Sequence, residues 1–234
     1  MKLNPHILAQ FPESFQRFID SAHEKKYKKG ETIYYGEIEV DAISVVVTGR
    51  LRRIGTCDQV SDSDTYNDKG HDVLFEYLER GDVLGEGLML INSREAQHDS
   101  MIEAETEVSL AVMGKAALAR FKVSEPGAYE EMRDLLIEMT LFRLGLTRKT
   151  INEMVNLDAK ERIRATLNRL CGTGIGINHE RGTELRISRQ DLALIVGCSR
   201  EVAGRVVNDM KDSGYLFAKG KQIIIFGGLL PEMF

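Results

Sequence analysis

The sequence is poor in the patterns that mark several protein classes. It has three cysteines in 234 residues, Cys57, Cys171 and Cys198, with no C-x-x-C spacing. Three thiols are too few for the usual four-thiolate iron–sulfur site within one chain, and an odd number fits a reducing cytoplasm. The five histidines, His6, His23, His71, His98 and His179, are scattered without a His-x-His pair. A cupin-like metal enzyme needs such a pair and further ligands. Neither a nucleophile–base pair nor a phosphate-cradling glycine loop appears. No catalytic residue and no metal ligand is therefore assigned, and the chain reads as a non-enzyme. MKLNPHILAQF holds no continuous apolar stretch, and no run is long enough to span a bilayer. Neither a signal peptide nor a membrane partner is expected.

What is present is ordinary in bulk and uneven in distribution. Hydrophobic residues make 43% and charged residues 29%, as in globular domains, and the length suits two domains. The net charge of −5 argues at first against nucleic acid. Residues 160–234, however, carry 12 Lys/Arg against 8 Asp/Glu, a net +4, which leaves −9 on residues 1–159. A basic carboxy-terminal part on an acidic body suits a protein that presents one face to phosphates.

That part centres on Ile187–Gly214, ISRQDLALIVGCSREVAGRVVNDMKDSG. Ser188 is an N-cap, with Arg189, Gln190 and Asp191 in the first turn. Leu192, Ile195 and Val196 recur at helical spacing, and Gly197 suits a left-handed C-cap. Ser199 then caps a second helix, 200–211, which Gly214 ends. Two helices so joined predict a helix-turn-helix whose second helix enters a DNA major groove. Arg200, Glu201 and Arg205 stand where side chains reach base edges: arginine forks onto guanine, and glutamate accepts from cytosine. Val202, Val206 and Met210 are expected on the core side. Leu216–Lys219 and Gln222–Phe226 flank Gly220–Lys221 as a hairpin wing, with Lys219 and Lys221 placed for phosphates. The candidate DNA-contacting set is Arg189, Gln190, Ser199, Arg200, Glu201, Arg205, Lys219 and Lys221.

Upstream, residues 5–25 carry a helical pattern. Short β-branched and aromatic runs punctuated by glycine follow: Thr32–Gly36, Ala42–Val47, Gly49–Ile54, Val73–Leu78 and Val108–Met113. These predict a small antiparallel barrel or jelly roll, with Asp58–Lys69 as an exposed hairpin loop. Residues 128–156 form the longest helical pattern, with two stripes. Met132, Leu135, Met139, Phe142 and Leu146 make one; Ile137, Leu141, Leu144, Ile151 and Val155 make the other. Two stripes predict packing on the barrel and on a partner helix, a homodimer. Asn156–Leu157–Asp158 reads as a hinge. Asp158 caps a helix over 159–171, and CGTGIGINHERG reads as a loop before a strand at Glu184–Ile187. The expected class is α+β. Residues 1–126 form an antiparallel β-roll effector domain with an amino-terminal helix, 127–157 the dimerisation helix and hinge, and 158–234 a winged helix-turn-helix.

VGCSREVAGRVV followed by LFAKGKQIIIFG resembles the DNA-binding end of the CRP/FNR family, in its cyclic-AMP-receptor-like branch. The handling of DNA by that receptor is a standard helix-turn-helix example. KKGETIYYGE, VVVTGRLR and YLERGDVLGEGLML are similar, in order, to its cyclic-nucleotide-binding jelly roll. The resemblance implies a bacterial transcription regulator, a TGTGA-like half-site read by Arg200, Glu201 and Arg205, double-stranded DNA and a second copy as partners, and RNA polymerase as a further one. It also implies an effector pocket at Gly85, Glu86, Gly87, His98, Asp99, Thr147 and Arg148. There the chain departs from its relatives. His98 stands at the phosphate-binding arginine, Asp99 at the neighbouring hydroxyl, and Arg148 at a serine supplied by the partner chain. A mostly neutral histidine does not fork onto phosphate, and an aspartate repels it. Cyclic AMP held in the usual way is therefore disfavoured. Three effector readings stay open. A different anion sits on Arg148 and Lys149, with LTRKT similar to relatives that respond to cyclic di-GMP. The pocket stays empty and the dimer acts unliganded. Or haem binds through a residue such as His98 or Cys57. The rival from another class is a nucleotide-binding β-roll module without DNA function.

Overall fold

The computed structural model describes residues 11–35, 41–55, 73–91 and 100–227, which fall into two compact units. One comprises residues 1–58 and 75–145, the other 59–74 and 146–234. The expected hairpin loop at 58–69 lies outside the described residues, as do His98, Asp99 and Cys57.

The first unit is built around one strand. β3 (Ala42–Thr48) reads AISVVVT, and Ile43 through Val47 are all buried. Five consecutive buried residues mean that both faces are covered, which a continuous apolar run permits and an alternating one does not. Ile43, Val45 and Val47 face a cluster with Phe15, Phe18 and Ile19 of α1 (Glu13–Ser21), Leu118 and Phe121 of α3 (Lys115–Ser124), and Met132 and Leu136 of α4 (Pro126–Asn156). Phe18 and Phe121 meet edge to face at 5.8 Å, a favoured aromatic geometry. Val46 faces the other way, into a cluster with Leu51, Leu78, Leu84, Ile102 and Leu110. Each such buried side chain contributes about 1.5–3 kcal/mol.

Two four-stranded sheets enclose that second cluster. One has the order β1-β8-β3-β6, from His23–Tyr27, Val108–Gly114, Ala42–Thr48 and Val83–Leu84. The other has the order β2-β7-β4-β5, from Thr32–Tyr35, Ser100–Ala104, Leu51–Gly55 and Val73–Leu78. β1 and β3 flank β8 antiparallel, and β2 and β4 flank β7 antiparallel, the expected roll. One boundary and one added element differ from the sequence reading. The first helix stops at Ser21, and residues 23–25, read within its pattern, belong to edge strand β1, HEKKY. Its side chains are nearly all exposed, so pairing with β8 and not its own pattern makes it a strand. A one-turn helix α2 (Gly87–Leu90) follows β6.

α4 runs 31 residues, starting at Pro126, where a missing N–H costs nothing. Its packing stripe is Tyr129, Met132 and Leu136, with Leu135 and Met139 partly buried against them. Phe142 and Leu146, expected in that stripe, are exposed. The second stripe is exposed throughout: Ile137, Leu141, Leu144, Ile151 and Val155, with Leu141 at 63% and Val155 at 76%. These positions alternate by four and three residues, and Arg148 occupies the one polar step.

In the second unit α5 (Ala159–Cys171), α6 (Arg189–Val196) and α7 (Arg200–Asp212) pack on one another beside a sheet of order β11-β12-β10-β9. Its strands are Leu216–Lys219, Gln222–Phe226, Gly182–Arg186 and Ile177–His179. β9 lies inside the segment read as a loop, where INH pairs with β10. Asp158 caps α5 through a capping box with Glu161. Ile163, Leu167 and Leu170 of α5 are buried. No described helix is long and apolar enough to cross a membrane.

Candidate DNA interface and effector pocket

The turn between α6 and α7 is fixed by local chemistry. Ser188 Oγ accepts from the Asp191 N–H at 3.0 Å and donates to the Asp191 carboxylate at 2.6 Å. Gly197 closes α6 at φ 67°, a left-handed conformation that favours glycine. Ser199 Oγ accepts from the Val202 N–H at 3.3 Å and starts α7. The buried face of α7 is Ala203, Val206, Val207 and Met210, spaced by three and four. Val202, expected in the core, is only half-buried; Ala203 and Val207 hold that side instead.

With that face fixed, Ser199, Arg200, Glu201 and Arg205 project to solvent. Neither Arg200 nor Arg205 enters a salt bridge among the described residues. The Glu201 carboxyl is held below its usual range, first by its own backbone N–H and then by the Ser199 hydroxyl, so it stays an ionised acceptor. Lys219 and Lys221 flank Gly220 at the exposed wing tip, and Gln190 is exposed on the first turn of α6. Arg189, also in the expected set, is partly buried. It donates from Nη1 to the Gly220 carbonyl at 3.2 Å and ties α6 to the wing.

The end of α4 is clamped to this unit. Arg162 donates to the Leu157 carbonyl at 2.9 Å and to the Val196 carbonyl at 3.1 Å. Arg169 pairs at 3.1 Å with Glu153, a buried carboxylate on α4. The segment after α4 thus has definite partners; the Asp158 cap was legible in the sequence, the contacts of Arg162 and Arg169 were not.

In the first unit Gly85 takes φ 75°, and Glu86 opens α2 just before Gly87. The residue that organises this stretch is one the sequence reading missed, Arg143 of α4. Its guanidinium lies 2.9 Å from Asp82, 3.4 Å from Glu76 and 3.6 Å from Glu86. Arg53 pairs with Glu76 at 2.7 Å. Around them Arg50 holds Glu79 and Glu105, and Arg52 holds Glu103. The one signal in the sequence is a cation set in the apolar run LFRLGL.

The five groups Arg53, Arg143, Glu76, Asp82 and Glu86 sum to −1. Glu86 Oε2 and Arg53 Nε are buried without a hydrogen-bond partner among the described residues. The described residues therefore fit the neutral sugar of a nucleotide and not its phosphate. Glu86 offers an acceptor and Gly85 a close backbone approach, while every arginine here is already held by carboxylate. Thr147 and Arg148 lie further along α4, both exposed.

Comparison with known proteins gives the context for both regions. The cyclic nucleotide-binding domain family matches residues 24–124, and the Crp-like helix-turn-helix domain family matches residues 161–226. The cAMP-activated global transcriptional regulator Vfr of Pseudomonas aeruginosa is 27% identical over 212 residues, 90% of this chain and 92% of Vfr. The CRP-like protein Clp of Xanthomonas euvesicatoria is 27% identical over 216 residues, 92% of this chain and 88% of Clp. Among solved structures, the c-di-GMP responsive global regulator CLP of Xanthomonas campestris superposes with a TM-score of 0.75 at 26% identity, covering 92% of this chain and 98% of that one. A CooA variant from Carboxydothermus hydrogenoformans, 20% identical with a TM-score of 0.67 and covering 96% of this chain and 92% of that one, shares the fold.

Proposed function

The chain belongs to the CRP/FNR family of DNA-binding transcription regulators, and from that premise we propose that it reads a TGTGA-like palindrome as a homodimer in the cytoplasm. The observation that carries this reading is the exposed, unbridged pair Arg200 and Arg205 flanking an ionised Glu201 at the start of α7. Two arginines and an acceptor at that end match guanine and cytosine edges in a major groove. Lys219 and Lys221 add phosphate contacts. The exposed heptad stripe of α4 supplies the dimer seam, since a palindrome needs two copies about one DNA turn apart. Residues 1–126 act as effector domain, 127–157 as dimerisation helix and hinge, and 158–234 as DNA-binding domain. RNA polymerase is the partner on which the bound dimer acts.

Vfr is cAMP-activated and Clp is c-di-GMP responsive. For this chain the net-negative cluster around Arg143 disfavours a cyclic phosphate in the roll, because a further anion a few ångströms away adds kcal/mol of repulsion. The dimer accordingly binds DNA unliganded. Arg148 breaks the apolar seam, and across a two-fold axis it faces its own copy. An anionic effector such as cyclic di-GMP would act there, on Arg148 and Lys149.

A titration of full-length protein with a TGTGA-N6-TCACA duplex and with a duplex carrying one half-site tests the reading. The palindrome is expected to bind two chains and more tightly by at least about tenfold. Equal affinity for both duplexes would contradict it.

A further inference from the structure

A cavity of about 530 Å³ opens in the first unit, and no residue of the Arg143 cluster lines it. That volume is in the range of small-molecule sites. Three helices wall it. Leu88 and, just beyond α2, Ile91 form one side. Lys115, Leu118 and Lys122 share one face of α3, at successive steps of three and four. Tyr129 and Arg133 share one face of α4.

The lining has two chemistries. Leu88 and Leu118 are buried and give an apolar floor, which Ile91, 69% exposed, extends toward solvent. Among the described residues that line it, the charged groups are all cations. Lys115 and Lys122 are in no salt bridge among the described residues, and Lys122 Nζ lies 5.2 Å from the Tyr129 ring centroid. The Tyr129 hydroxyl is engaged with the Met89 carbonyl at 3.4 Å, so the ring presents its face. Arg133 is already paired with Glu130 at 2.6 Å and Asp134 at 3.1 Å; those carboxylates do not line the cavity.

An exposed apolar surface next to two unneutralised ammonium groups is complementary to an anion with an apolar body. We propose that this cavity binds an acyl or aryl carboxylate, its body on Leu88, Ile91 and Leu118 and its carboxylate at Lys115 and Lys122. Such a ligand joins α2, which carries on from Glu86, to the first turns of α4. The proposal does not depend on the DNA reading.

The test is calorimetric titration of the full-length protein with decanoate, decanol and inorganic phosphate. Decanoate is expected to saturate a single site, with decanol and phosphate each weaker by about tenfold or more. Lys115→Met with Lys122→Met keeps the stems, removes the charges, and is expected to weaken decanoate by about tenfold or more. Ile91→Ser, on the apolar side, weakens it severalfold and gives an independent second variant. Unsaturable uptake of decanoate, affinity unchanged in both variants, or phosphate binding as tightly as decanoate would each overturn the proposal. The readout is ligand heat, so its failure is distinguishable from failure of DNA recognition.

Discussion

Two sets of arginines, one in each unit, are held in opposite ways. In the roll, Arg143 is shared among three carboxylates and Arg53 holds one of the same three. On α7, Arg200 and Arg205 point to solvent with no salt bridge among the described residues. An arginine matched by carboxylates contributes to the fold, and its removal strands partly buried charge. An arginine left unmatched at a helix start contributes little to folding and keeps its donors for a partner. The first region is a charge cluster satisfied from within; the second is an exposed surface whose donors are left for the partner proposed above.

The largest effect should come from breaking the paired side of this contrast. Arg143→Ala strands Glu86 and Asp82 and should lower unfolding stability by about 2–3 kcal/mol, less than for a fully buried pair because 19% of the side chain is exposed. Base preference should be unchanged, as thermal melts and competition binding would record. Arg205→Ala does the reverse: melting should hold within about 0.5 kcal/mol, while discrimination at one base pair falls by about 1–3 kcal/mol. An unchanged base preference in that variant would end the assignment of Arg205. Lys219→Ala sharpens the contrast between reading and anchoring. It should weaken all duplexes alike and reduce the salt slope of binding by about 1.

The smallest effect concerns pH. The Glu184 carboxyl is held below its usual range, first by the hydrogen bond from Arg186 and then by one from Gln222. A lowered carboxylate contributes stability above its unfolded value, about 4.3, and that contribution is lost as pH falls through the folded value. Glu184→Gln should therefore lower melting stability slightly at neutral pH, converge with the parent protein in acid, and so flatten the acid limb of the profile.

The recognition unit was legible because its determinants are local. Ser188, Gly197 and Ser199 cap within three residues of what they satisfy, and the hairpin LFAKGKQIIIF carries its own turn. The long helix was legible from periodicity, although Leu136 is buried more deeply than the expected Leu135, and Phe142 and Leu146 turn outward. What escaped depends on distant partners. HEKKY has no strand alternation and is held by β8, and INH is a strand only because β10 runs beside it. Arg143 meets Asp82 across 61 residues of sequence, a contact no spacing rule exposes. His98 and Asp99, on which the sequence-based expectation about cyclic AMP rests, lie outside the described residues; the Arg143 cluster, which supports the same proposal, involves different residues.

The most direct test is fluorescence anisotropy at fixed salt with the TGTGA-N6-TCACA duplex against a scrambled one, first without ligand and then with cyclic AMP. The unliganded protein is predicted to bind tightly and sequence-selectively, and cyclic AMP to leave that binding unchanged. Binding that appears only when cyclic AMP is added would contradict this, and would mean that the paired charges around Arg143 rearrange to admit a phosphate.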